Sequence, residues 1–164
     1  DLKIISKKID WIGVNYYTRT IVKKDNNEKY FGFKALKGNL PKTDMGWEIY
    51  PEGLTEVIMK LIKNYSKKTP IYITENGMAH KETFENGKVV DIERINFYEK
   101  HLKEIKQLLN KGVPLRGFFA WSLLDNFEWA YGYSKRFGLI YVDFKTQKRV
   151  PKNSWLEFKK ALNK

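Results

Sequence analysis

Cysteine is absent from this 164-residue sequence, and histidine is confined to His80 and His101. Disulfides, thiolate metal sites and a cysteine nucleophile are therefore excluded, and two separated histidines do not make a metal cluster. No metal and no cofactor is expected. Arginine is scarce: the formal charge of +12 comes mostly from lysines spread from Lys3 to Lys164 among Asp and Glu. Lacking an arginine-rich tract or a nucleic-acid motif, the charge reads as solvated surface, or as charge balanced by another segment or partner, and no nucleic acid is expected to bind. No apolar run could span a bilayer, and the N-terminal segment Asp1-Leu2-Lys3-Ile4-Ile5-Ser6 lacks the apolar core of a signal peptide. A cytoplasmic chain without membrane contact is expected. An initiator methionine is missing too, so the chain begins as though something had been cut away upstream.

What is present is a globular composition, 42% hydrophobic, unusually rich in aromatics at 15% with five Trp. Large aromatics fill cores, but they also build platforms for sugars and other ring-faced ligands. One stretch anchors the rest. Ile71-Tyr72-Ile73-Thr74 is a short β-branched and aromatic run that stops at Glu75-Asn76-Gly77, as a buried strand does where it meets solvent. Taken alone, Glu75 is an acid at a strand end, and a solvated loop acid beside an Asn-Gly turn is the plainer reading.

In chain order, Ile9 to Tyr17 reads as a buried strand with a polar, aromatic end. Residues 18–50 show no helical period and read as an irregular loop with a hairpin around Asn26-Asn27; so long a connection points to function. Pro51 suits a first helical turn, with Leu54, Val57, Ile58, Leu61, Ile62 and Tyr65 facing inward. Asn86-Gly87 is a hairpin signal. Asp91 is a candidate cap for a helix whose inner face is Ile92, Ile95, Tyr98, Leu102, Ile105, Leu108 and Leu109, ended by Gly112 and Pro114. A strand over Leu115 to Trp121 leads into the acid- and aromatic-rich Ser122 to Tyr131. A short strand over Gly138 to Phe144 follows, and Ser154 with Glu157 matches a capping box opening a last helix. Trp11 and Trp155 read as core, Tyr16 as pointing away from the cleft that Tyr17 faces, His80 as a loop residue, and His101 as an exposed helix residue.

Strands separated by helices imply a parallel sheet. The strand-to-helix connections are long and chemically rich and the returns short, the asymmetry of a (β/α)8 TIM barrel whose site is built from its βα loops. Three units are too few to close a barrel. The whole of residues 1–164 therefore reads as the C-terminal segment of a single barrel domain, its last three βα units, incomplete without an N-terminal portion.

Three motifs now stand in order: Asn15-Tyr16-Tyr17-Thr18, Ile73-Thr74-Glu75-Asn76-Gly77, and Trp121-Ser122-Leu123-Leu124-Asp125-Asn126-Phe127-Glu128-Trp129. With Met45-Gly46-Trp47-Glu48-Ile49-Tyr50-Pro51 and Arg136-Phe137-Gly138-Leu139, they resemble the C-terminal part of the family 1 glycoside hydrolases, the retaining β-glucosidases and β-galactosidases. The resemblance implies that Glu75 is the catalytic nucleophile, and that the Tyr17 hydroxyl holds its orientation and charge. Asn15 would line the same site and Trp121 would lie under the sugar ring. Glu128 and Trp129 would bind outer hydroxyls of the non-reducing sugar, with Trp47 on the aglycone side and Phe137 near the rim. An acid at Glu128 points to neutral rather than 6-phosphorylated sugars, since it would repel a phosphate.

The implied substrate is a β-linked glycoside or oligosaccharide. The implied partner is the missing N-terminal half of the barrel, because the family's acid/base Asn-Glu-Pro motif does not occur here. Glu48, Glu52, Glu82 and Glu85 are poor substitutes, none being expected at a strand end opposite Glu75, so the chain alone is expected to be inactive. Asp125 and Asn126 are open to two roles, bracing their loop or touching substrate. Two rival functions stand beside this one: a non-catalytic carbohydrate-binding module built on Trp121, Trp129 and Glu128, and, more weakly, a basic nucleic-acid-binding protein.

Overall fold

A computed structural model describes residues 1–162 of the chain. The chain opens with one helical turn, α1 (Leu2–Ile5), and runs into β1 (Ile12–Asn15). The long connection that follows carries the hairpin β2 (Ile21–Lys24) and β3 (Phe33–Leu36), then α2 (Glu52–Asn64) and β4 (Ile71–Asn76). A small hairpin, β5 (Phe84–Glu85) and β6 (Lys88–Val89), precedes α3 (Ile92–Asn110) and β7 (Leu115–Ala120). A 3-10 turn at Trp129–Tyr131, the hairpin β8 (Ile140–Val142) and β9 (Arg149–Pro151), and α4 (Asn153–Leu162) complete it.

Strands β1, β4 and β7 form one parallel sheet in that order, with Asn15 opposite Glu75 and Asn76 opposite Ala120. The alternation expected from the sequence is therefore present, and the chemically rich segments all leave the C-terminal ends of these strands. One sheet face carries Val14, Ile71, Ile73 and Leu115 into a core completed by Leu54 and Ile58 of α2 and Leu108 of α3. A second core joins Met78, Phe97, Tyr98, Leu139 and Phe158, with Trp155 packed against it. Helix α3 closes as glycine dictates. Gly112 takes a positive φ, its N–H donates to the Leu109 carbonyl, and the Val113 N–H donates to Leu108. At the β5–β6 turn Asn86 and Gly87 both have positive φ, the pair that a two-residue turn of this twist needs.

Several expectations are corrected. Trp11 is 52% exposed rather than core, and lies edge-on to Tyr72 at 5.5 Å between ring centres. Val57, Tyr65, Ile92 and Leu109 are exposed, and α3 instead buries Arg94, Phe97 and His101. Asp91 does not cap α3 with its side chain. Its carboxylate accepts the Ser154 N–H at 2.9 Å, the Ser154 hydroxyl at 2.6 Å and an Arg94 N–H at 2.6 Å. That also removes Ser154 from the capping box, since its hydroxyl is donated across to α3.

These contacts belong to a buried charge cluster. The Lys152 ammonium meets Glu82 at 2.5 Å and Asp125 at 2.9 Å, while Arg94 bridges Glu82 and Asp91. Asp125 also accepts from Arg136 at 2.6 Å and from the Gly138 and Val142 N–H groups. Three carboxylates and three cations thus tie the loops after β4 and β7 to the start of α3 and α4. Buried charges persist only when paired in this way. Asp125 is a loop brace.

Candidate active site

The candidate site forms where β1, β4 and β7 end. Beyond Asn15 the chain turns so that the Tyr17 hydroxyl reaches Glu75 of β4 and donates to Oε2 at 2.7 Å. A donor held against one carboxylate oxygen fixes the orientation of the group. The phenol itself is pushed well above its ordinary value, by burial first and then by the Glu75 bond and charge, so it stays a donor. Glu128 is also raised, by burial and then by the negative charge of Glu75, which places the two carboxylates in one electrostatic environment.

Aromatic rings frame the pair. Trp47 meets Tyr17 at 5.4 Å and Phe137 at 6.2 Å between ring centres, and Phe137 lies 6.3 Å from Tyr17, edge to face. Phe137, expected at the rim, is buried behind the other two. Trp47 is delivered by a braced loop. Glu48 is buried, accepts from Arg19 at 2.8 Å and the Leu40 N–H at 2.8 Å, and offers its carbonyl to the Thr18 hydroxyl. The Arg19 guanidinium holds the Glu48 carboxyl below its ordinary value.

Asn15 is exposed at the end of β1, its Oδ1 accepting the Thr74 hydroxyl at 2.6 Å. Trp121, half-buried, follows the last residue of β7 through a cis peptide to Ser122. Trp129 stands apart from the framed pair, 83% exposed and with a positive φ. Tyr16 points away from Tyr17 as its alternation requires: it is buried and donates to the Tyr50 carbonyl.

Of the other acids considered, Glu48 and Glu82 are locked in ion pairs and Glu85 sits in the exposed β5–β6 hairpin. Among the described residues no group of three or more His, Asp or Glu is placed to hold a metal ion, and no helix is long and apolar enough to cross a membrane. Sequence reasoning passed over Asn76 and took Tyr98 only as core. Both stand at the junction of the three strand ends, and for Asn76 its place beside Glu75 at a strand end was the available signal.

The family profile described as Glycosyl hydrolase family 1 matches residues 1–164. A 1,4-beta-D-glucan glucohydrolase of Thermotoga neapolitana is 47% identical over 155 residues, which are 94% of this chain and 34% of that protein. A 6-phospho-beta-galactosidase of Clostridium acetobutylicum is 41% identical over 177 residues, 97% of this chain and 37% of that protein. The solved family 1 b-glucosidase from Thermotoga maritima superposes with a TM-score of 0.95 at 43% identity, covering 99% of this chain and 37% of its own. The chain thus spans about a third of the length of the relatives it matches, and corresponds to their C-terminal part.

Proposed function

As the chain belongs to glycosyl hydrolase family 1, we propose that it is the last three βα units of a (β/α)8 barrel, one partial domain over residues 1–164, and part of a retaining β-glycosidase of the β-glucosidase type. The substrate is a terminal non-reducing β-glycoside. The observation that carries the reading is the 2.7 Å bond from Tyr17 to Glu75 at the C-terminal end of a parallel strand. A carboxylate oriented this way suits attack on an anomeric carbon.

In the proposed reaction a Glu75 oxygen displaces the glycosidic oxygen to give a covalent glycosyl-enzyme. A carboxylic acid from the N-terminal portion protonates the leaving oxygen, then activates the water that releases the sugar. Retention requires that second carboxyl about 5–5.5 Å from the first. Its general acid–base contribution is typically about 10²–10⁴-fold, so the chain alone is inactive. Trp121 stacks on the sugar ring, Asn15, Glu128 and Trp129 bind its hydroxyls, and Trp47 meets the aglycone with Phe137 behind it. A carboxylate at Glu128 would repel a sugar phosphate, so neutral sugars are preferred to 6-phosphorylated ones. A cytoplasmic location belongs to the same proposal.

The test uses a complete barrel carrying these residues, incubated with a 2-deoxy-2-fluoroglucosyl fluoride and followed by intact mass and peptide mapping. The expected result is one sugar on the Glu75 peptide, lost in Glu75→Gln together with nitrophenyl glucoside hydrolysis. A label on another residue, or full activity in Glu75→Gln, overturns the reading. Hydrolysis by the purified 164-residue chain would overturn its dependence on the N-terminal portion.

A further inference from the structure

We propose that Asn76 is a positioning residue that sets the Tyr17–Glu75 pair through its side-chain amide, an inference that rests on the reading of Glu75 just given. The Tyr16 N–H donates to the Glu75 carbonyl at 2.9 Å. In a parallel ladder the Tyr16 carbonyl would next accept from the Gly77 N–H. β4 ends at Asn76, and the Asn76 side chain takes over that rung, Nδ2 donating to the Tyr16 carbonyl at 2.8 Å. Both backbone polar groups of Tyr16 are thereby held, one residue before the tyrosine whose hydroxyl meets Glu75.

The same residue holds the third strand. Its carbonyl accepts the Trp121 N–H at 2.8 Å, and the Tyr98 hydroxyl sits between that carbonyl, at 3.5 Å, and the Trp121 carbonyl, at 3.4 Å. Residues following β1, within β4 and following β7, carrying Tyr17, Glu75 and Trp121, therefore converge on one side chain and its own peptide. Asn76 is fully buried, and its Oδ1 has no hydrogen-bond partner among the described residues. A buried acceptor left unpaired is costly. A filler at this place would be apolar; an amide kept there despite its orphaned oxygen is kept for its donor. The amide orientation follows from the contact, because only the nitrogen can face a carbonyl.

The test again uses a complete barrel carrying these residues, with Asn76→Ala, Asn76→Asp, Tyr17→Phe, Glu75→Gln and the Tyr17→Phe/Asn76→Ala double variant. Asn76→Ala is expected to lower kcat for a nitrophenyl glucoside about 10–100-fold with little change in KM, the scale of a misplacement near 1 Å. The double variant falls by less than the product of the single effects. Asn76→Asp keeps the shape and regains activity relative to Asn76→Ala as pH falls, since only the protonated carboxyl can donate to the Tyr16 carbonyl. Lowered thermal stability with unchanged kcat and KM, or fully multiplicative effects, overturns the positioning role. Failure of both Asn76 variants to fold also overturns it, by making the residue purely structural. Activity surviving in Glu75→Gln refutes the nucleophile assignment instead, so the two failures are distinct.

Discussion

Acidifying the protein from pH 7.5 to 4 is expected to remove about 3 kcal/mol of stability through a single buried imidazole. His101 of α3 is fully buried, its ring centre 4.0 Å from that of Phe97. Its Nδ1 lies 2.8 Å from the Phe97 carbonyl, which can only accept, so Nδ1 carries the proton. Nε2 is buried with no hydrogen-bond partner among the described residues. Protonating it would place a cation where nothing receives the new N–H, and burial pushes the pKa down from 6.5 to about 4. The folded state therefore binds this proton less tightly than the unfolded chain does. The contribution is complete above pH 6.5, declines as pH falls through that value, and is exhausted below about 4. That gap corresponds to about 3 kcal/mol at 1.36 kcal/mol per pH unit, a large part of a domain stability of about 5–15 kcal/mol. Urea unfolding of parent and His101→Gln at pH 7.5, 5.5 and 4 is the assay. The variant keeps a donor for Phe97 but does not titrate, so it should gain about 3 kcal/mol relative to the parent across that range. A parent-to-variant difference independent of pH, or an imidazole titrating above pH 6 by NMR in the folded protein, would refute the argument.

Two other perturbations follow from packing. Lys152→Met leaves Glu82 and Asp125 short of a cation in a dry site, and should cost about 3–5 kcal/mol in denaturant unfolding; the double replacement Glu82→Met/Lys152→Met should recover part of it, whereas a single-variant loss under about 1 kcal/mol would show the cluster to be better hydrated than its burial implies. Gly77→Ala would drive a Cβ into the Trp121 carbonyl oxygen, a backbone atom that cannot turn aside. The variant should lose about 1–3 kcal/mol and lower the kcat of a complete barrel, and unchanged thermal unfolding would contradict the close approach of the two strand ends.

The three parallel strands, helices α2 and α3 and two of the three hairpins were legible because each rests on local chemistry: β-branched runs, apolar spacing, and turn residues at Asn86-Gly87. The long-range assignments were not. Trp11 looked like core because apolar residues in a strand usually are, but the sequence does not say that its ring stays half exposed beside Tyr72. His101 looked like an exposed helix polar, and Arg94 drew no reading at all. The first is buried beneath Tyr16 and Phe97, and the second is recruited by Glu82 and Asp91, partners that no helical period reveals. Asp91 and Ser154 each matched a capping pattern, and each spent its hydrogen bonds on the other. At the candidate site, Glu75, Tyr17, Trp47 and Phe137 were found by motif and come together in space. Asn76 was visible as a letter in the same motif, but its role depends on which carbonyl its amide meets.

The strand order β1–β4–β7 puts Glu75 on the middle strand, with an open edge on either side among the described residues. A body that completes this sheet must grip two edges of one small element at once. Once the first edge is paired, the second contact becomes intramolecular, with an effective concentration in the millimolar range for a short tether. Closure is then chelate-like, and half-engaged states are sparse. The Glu75 strand is already central, so its register is held from both sides by β1 and β7 whatever pairs with the outer edges.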